Sequence, residues 1–112
     1  MKIWQKAMEI AVRVYEVTAT LPMEERYNLT SQIKRCAISI PSNIAEGAGR
    51  NHDKEFIQFL AVANGSTYEL MTQLILAQKL DLFGQTTVQP LIDQLIEVSN
   101  MNFAFQKTLK EK

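Results

Sequence analysis

The sequence predicts an all-α protein: an antiparallel up-down-up-down four-helix bundle with long helices and a proline-kinked second helix. Three observations carry this. Apolar residues recur at steps of three and four along four separate stretches, the alternation of strands appears nowhere, and the connections between the stretches are short. Residues 1–112 are expected to form a single four-helix bundle domain, since a chain of this length buries one core but not two.

The first helix is expected from Lys2 to Ala19. Ile3, Ala7, Ile10, Val14 and Val17 make one stripe, and Trp4, Met8, Ala11 and Tyr15 make a second beside it, so this helix presents an unusually wide apolar face. "TLPMEERYN" holds Pro22 and an acidic pair and reads as a connection. The second stripe series, Leu29, Ile33, Cys36, Ile40 and Ile44, passes straight through Pro41. Proline there removes an amide and crowds the carbonyl of Ala37, at a cost of about 3 kcal/mol, and a kink is expected instead of a stop because Ile44 and Ala45 keep the phase.

"IPSNIAEGAGRNHDKEF" is the one stretch that resembles a motif. Gly47 and Gly49 permit the positive backbone angles of a helix C-terminal cap, and Asn51 or Asp53 can cap the next helix, so the stretch reads as a helix end, a glycine turn and a new start. The third helix then runs from Asp53 to Leu80 on Phe56, Leu60, Ala63, Thr67, Leu70, Leu74 and Ala77. It is about 40 Å long. "FIQFLAVA" within it is apolar nearly all round and calls for partners on more than one side. Gly84 marks the next turn, Thr86 or Thr87 caps a fourth helix with Pro90 in its first turn, and the last stripe is Leu91, Leu95, Val98, Asn102, Phe105 and Leu109.

Several chemistries lack their residues. "EGAGR" has neither the preceding strand nor the Gly-Lys-Ser/Thr ending of a phosphate loop. A bundle-type di-metal site needs two Glu-x-x-His pairs, and His52 is the single histidine. No Ser, His, Asp grouping of a hydrolase is present. No catalytic residue, metal or cofactor is therefore expected. The one cysteine, Cys36, reads as a small core hydrophobe. No apolar run approaches the roughly 18 residues of a membrane span, and Lys2, Lys6 and Glu9 exclude a signal-peptide core, so a soluble, cytoplasmic protein is expected.

Net charge is zero, yet it is unevenly spread. Residues 1–25 carry three basic against four acidic side chains, and residues 26–54 carry five against two, a local excess of +3 around the glycine turn. Lys34, Arg50 and Lys54 are accordingly the candidate nucleic-acid contacts. A polar stripe, Arg35, Ser39, Ser42 or Asn43, Glu46 and Arg50, lies beside the apolar one on the second helix. An antiparallel hairpin turning near residue 50 brings position 35 opposite about 66, which places Arg35 within reach of Ser66 and Glu69. Arg35, Ser39, Asn43, Glu46, Ser66 and Glu69 are the expected structural polar network, with Arg35 and Glu69 within ion-pair reach.

The segment from Leu21 to Leu80 resembles the bacterial four-helix bundle family known from intervening sequences in 23S ribosomal RNA genes, sometimes labelled ribosomal-protein-like. Ser39 followed by "NIAEG" at 43–47, the Phe56 to Leu60 segment and "GSTYEL" at 65–70 carry the likeness, which extends from Trp4 to about Leu109. The resemblance implies a ring-shaped homopentamer and kinship to the basic accessory proteins of diversity-generating retroelements, which bind nucleic acid and a reverse transcriptase. It implies no catalytic residues. This chain is neutral where those accessory proteins are basic.

The expectation is a non-enzymatic, homo-oligomeric binding module, pentameric by resemblance, for RNA or a ribonucleoprotein. The alternative is a protein-interaction scaffold without nucleic-acid binding. Two apolar stripes on the first helix exceed what one bundle core covers, which itself calls for self-association.

Overall fold

The computed structural model describes residues 1–112 and contains four α-helices: α1 (Lys2–Thr18), α2 (Leu29–Gly49), α3 (Asp53–Lys79) and α4 (Gln85–Lys110). A 3-10 turn at Met23–Glu25 links the first two. No strand is present. Each helix packs on its neighbours in sequence, α2 on α3 most extensively, and α4 closes back on α1 through the thinnest seam. Diagonal contacts are absent, so the four helices stand in a square, elongated to 47 × 23 × 18 Å.

The core is one cluster, built mainly from the apolar stripes and joined by Ala37, Phe83 and Val88. Ile3, Ala7, Ile10, Val14 and Val17 are buried on α1, and Leu29, Ile33, Cys36, Ile40 and Ile44 on α2. From α3 come Leu60, Ala63, Thr67, Leu70, Leu74 and Ala77, and from α4 Leu91, Leu95, Val98, Asn102 and Leu109. Phe56 and Phe105 are half-buried and meet edge to face at 5.1 Å, tying the start of α3 to the end of α4. Asn102 is fully buried because its amide donates to the Leu60 carbonyl at 2.9 Å, and its own oxygen accepts from Gln106 at 2.6 Å.

α2 continues through Pro41, which is buried. The glycines after it have a different role from the one expected. Neither Gly47 nor Gly49 has a positive φ, and both belong to α2; the left-handed residue of the turn is Asn51, at φ 67°. Asparagine tolerates this region better than most residues. Gly47 is required for closeness instead. A Cβ there would lie 2.7 Å from the Cβ of Phe59 and 2.9 Å from a ring carbon of Phe56, so α2 and α3 approach at a point where no side chain fits. Nor does Asn51 or Asp53 cap α3, whose N-cap is the extended His52 without a side-chain cap bond.

At the far end, α3 stops in a Schellman motif. The amide of Leu82 donates to the carbonyl of Ala77 at 2.9 Å and that of Asp81 to Gln78 at 3.0 Å, with Asp81 in the left-handed position at φ 60°. α4 begins at Gln85 with Gly84 as its N-cap, ahead of Thr86 and Thr87. Pro90 therefore sits in the second turn, on the exposed side, and not in the first.

Candidate functional site

α2 has a concavity on each flank. Towards α1 lies an apolar groove of about 360 Å³ bordered by Trp4, Met8, Ala11, Ile38, Pro41 and Ala45. It arises because the second stripe of α1 is only partly covered within the chain: Trp4 and Ala11 pack against the core, but Met8 and Tyr15 remain 40% and 43% exposed, and Ile38 across the groove 44%. No charged residue lines it. Lys34 closes its neighbourhood along the helix, its ammonium 4.8 Å from the centroid of the Tyr15 ring.

Towards α3 lies a polar cavity of about 340 Å³ lined by Gln32, Arg35, Cys36, Ser39, Ser66 and Glu69. The hairpin register brings residues 35–39 opposite 66–69, as the sequence spacing requires. Across it the Ser39 hydroxyl of α2 and the Ser66 hydroxyl of α3 are hydrogen-bonded at 2.8 Å. The amide of Asn43 donates to the Ser39 carbonyl at 2.8 Å and to its hydroxyl at 2.9 Å. Cys36 donates its thiol proton to the Ser66 carbonyl at 3.0 Å. Burial, with the Glu69 carboxylate adding to it, pushes this thiol up from 9.0 to about 12. A thiol held protonated in this way is a poor nucleophile.

The predicted polar network thus splits. Ser39, Asn43 and Ser66 are joined. Arg35 and Glu69 border the same cavity but form no ion pair within 4.0 Å; the Glu69 carboxylate instead accepts from Gln73 at 3.4 Å. Periodicity places the two Cα atoms and says nothing of the rotamers, and both side chains are exposed enough for water to compete. Glu46 belongs to the other end of α2, where it pairs with Arg50 at 3.0 Å. Sequence reasoning did not single out Gln32, whose only signal is its position one turn before Arg35 and Cys36.

The basic candidates are also dispersed. Arg50 is held by Glu46 and, at 4.0 Å, by Glu55, and stacks on Phe59 at 5.1 Å. Asp53 faces Lys112 at 3.9 Å. Lys54 is exposed at the first turn of α3 without an ion pair, and Lys34 is on the α1 side. Between Glu46 and Glu55 three carboxylates stand against Arg50, Lys54 and the Lys112 that folds beside Asp53, so the folded turn is balanced in charge and not the basic patch that the count over residues 26–54 implies. No three His, Cys, Asp or Glu side chains come together as metal ligands, and no helix is long and apolar enough to cross a membrane.

A family model described as 23S rRNA-intervening sequence protein matches residues 1–104. A solved structure from Bacteroides thetaiotaomicron, a protein of unknown function from the S23 ribosomal protein family, superposes with a TM-score of 0.87 at 23% identity over 94% of this chain and 98% of its own. At that identity the likeness shows the fold. No curated protein matches the sequence.

Proposed function

Because the chain belongs to the 23S rRNA-intervening sequence protein family, we propose that it is a non-enzymatic homo-oligomeric binding module, a helical bundle whose α1–α2 groove receives a second copy. The uncovered groove carries this reading. Its occupant has to be apolar, and the same chain offers a match outside the groove, where Ile96 and Phe103, seven residues apart and so on one face of α4, are exposed. Groove and knob are different surfaces, so the contact is head-to-tail, and a head-to-tail contact closes into a ring when its rotation allows. The pentamer implied by the family resemblance is one such ring. The non-enzymatic part is supported by the Cys36 thiol, which burial holds protonated.

What the ring engages follows from charge. The carboxylates around Arg50 and Lys54 favour protein partners over RNA, the scaffold reading over the nucleic-acid one. RNA contact through Lys34, Arg50 and Lys54 remains the second reading, supported by the unpaired Lys54 at the amide-rich start of α3. Light scattering tests the assembly: a mass five times 12.8 kDa is expected, and a stable 12.8 kDa monomer at micromolar concentration overturns it. A titration with single-stranded RNA at about 50 mM salt separates the two readings. The scaffold expects no binding; salt-sensitive binding lost in an Arg50→Gln, Lys54→Gln variant that keeps its mass would establish the RNA reading.

A further inference from the structure

We propose that the α2–α3 cavity binds a small zwitterion of the α-amino-acid type, with its carboxylate on Arg35, its ammonium on Glu69 and a polar group on the Ser39–Ser66 hydroxyl pair. This site is separate from the apolar groove and does not depend on the assembly.

The volume, about 340 Å³, lies at the small end of ligand-binding cavities. Its lining selects by exclusion. No aromatic ring borders it, so a nucleobase has nothing to stack on, and Cys36 is its only apolar residue, so a hydrophobic ligand gains little. A simple anion drawn to Arg35 meets Glu69, and a simple cation drawn to Glu69 meets Arg35. A molecule with one charge of each sign satisfies both.

The two charges are also free to receive it. Five ion pairs within 4.0 Å form elsewhere in the chain, yet none includes Arg35 or Glu69. Glu69 engages one oxygen with Gln73 and keeps the other. The guanidinium of Arg35 offers the planar fork that suits a carboxylate. The hydroxyl pair of the same lining has a proton to spare. Asn43 donates to Ser39, one serine donates to the other, and whichever does so, the hydroxyl proton of its neighbour has no acceptor within the chain. That proton is available to a hydroxyl or amide oxygen of the ligand. The Cys36 thiol is spent on the Ser66 carbonyl and serves as floor, not as a reactive group.

The test is a titration of the uniformly ¹⁵N-labelled full chain with L-serine, L-threonine and L-glutamine, each to about 10 mM, enough to saturate a site of about 1 mM Kd. Saturable shifts at the Ser39 and Ser66 amides are expected for at least one of them. The N-acetyl derivative of that amino acid lacks the ammonium and its carboxamide lacks the carboxylate; each should bind at least about tenfold more weakly, as should the amino acid itself to Arg35→Met and Glu69→Gln variants. The proposal falls if none of the three amino acids moves those amides, or if the charge-stripped derivatives bind as well. It also falls if the variants change the oligomer mass in place of ligand affinity, because the two charges then belong to the contact with a second copy.

Discussion

The two flanks of α2 border open concavities of nearly equal volume, about 360 and about 340 Å³, with opposite chemistry. Helical phase explains how one helix supplies both. Successive residues turn by about 100°, so Ile33, Ala37, Ile40 and Ile44 point into the core while Ile38, Pro41 and Ala45 fall to the α1 side and Gln32, Arg35 and Ser39 to the α3 side. The groove leaves apolar area in water, which a large apolar partner removes. The cavity leaves charges and a hydroxyl proton unmatched, which a small polar ligand matches. A bundle can therefore separate assembly from ligand recognition by a shift of one residue along a single helix.

The largest expected effect breaks the groove. Met8→Glu combined with Ile38→Glu should raise the dissociation constant of the oligomer by more than about 100-fold, because two carboxylates would be desolvated at the contact. Light scattering should then show a 12.8 kDa species with unchanged helical circular dichroism. Arg35→Met, on the other flank, should keep the oligomer.

The second effect is on the closeness of α2 to α3. Gly47→Ala should lower stability by about 1–3 kcal/mol in urea unfolding, since its Cβ would press on Phe59 and Phe56. Gly49→Ala, two residues on, meets nothing within 4 Å and should be neutral or stabilising by up to about 1 kcal/mol. Equal effects at the two glycines would mean that α3 does not approach α2 as described.

A third prediction concerns pH. The folded pKa of Cys36 is raised above its unfolded value, so its contribution to stability is complete below about pH 9 and declines as pH rises towards 12. A Cys36→Ala variant should lack this part of the alkaline decline. At pH 8 the native thiol should react with a disulfide reagent far more slowly than in urea-unfolded chain. The smallest effect is at the turn. Arg50→Gln should cost less than about 1 kcal/mol, because both of its ion pairs are solvent-exposed.

Much of this was legible in the sequence, and the part that was not has a common cause. The core stripes follow from local spacing, and so does the register that sets 35 opposite 66. Gly47 was misread because its requirement comes from Phe56 and Phe59, residues of another helix, while its own neighbourhood resembles a cap. Asn51 and Asp81 take the left-handed positions that a sequence reader assigns to glycine. Arg35 and Glu69 reach one cavity, as their spacing requires, but form no ion pair there, because periodicity places backbones and does not encode where long side chains end. The basic excess counted over residues 26–54 stops one residue short of Glu55, which folds beside Arg50 together with Glu46.

The thin seam between α1 and α4 has a consequence for how the molecule breathes. α1 is held chiefly by α2, and the uncovered half of its apolar face lies where a second copy would bind. On the proposed assembly its opening would be tied to protein concentration in a way that the α2–α3 hairpin is not. In native-state hydrogen exchange, dilution should make the α1 amides exchange faster while those of α2 and α3 hold their rates. The first helix would then gain part of its stability from a neighbouring molecule, and only the remaining three would be secured by their own chain.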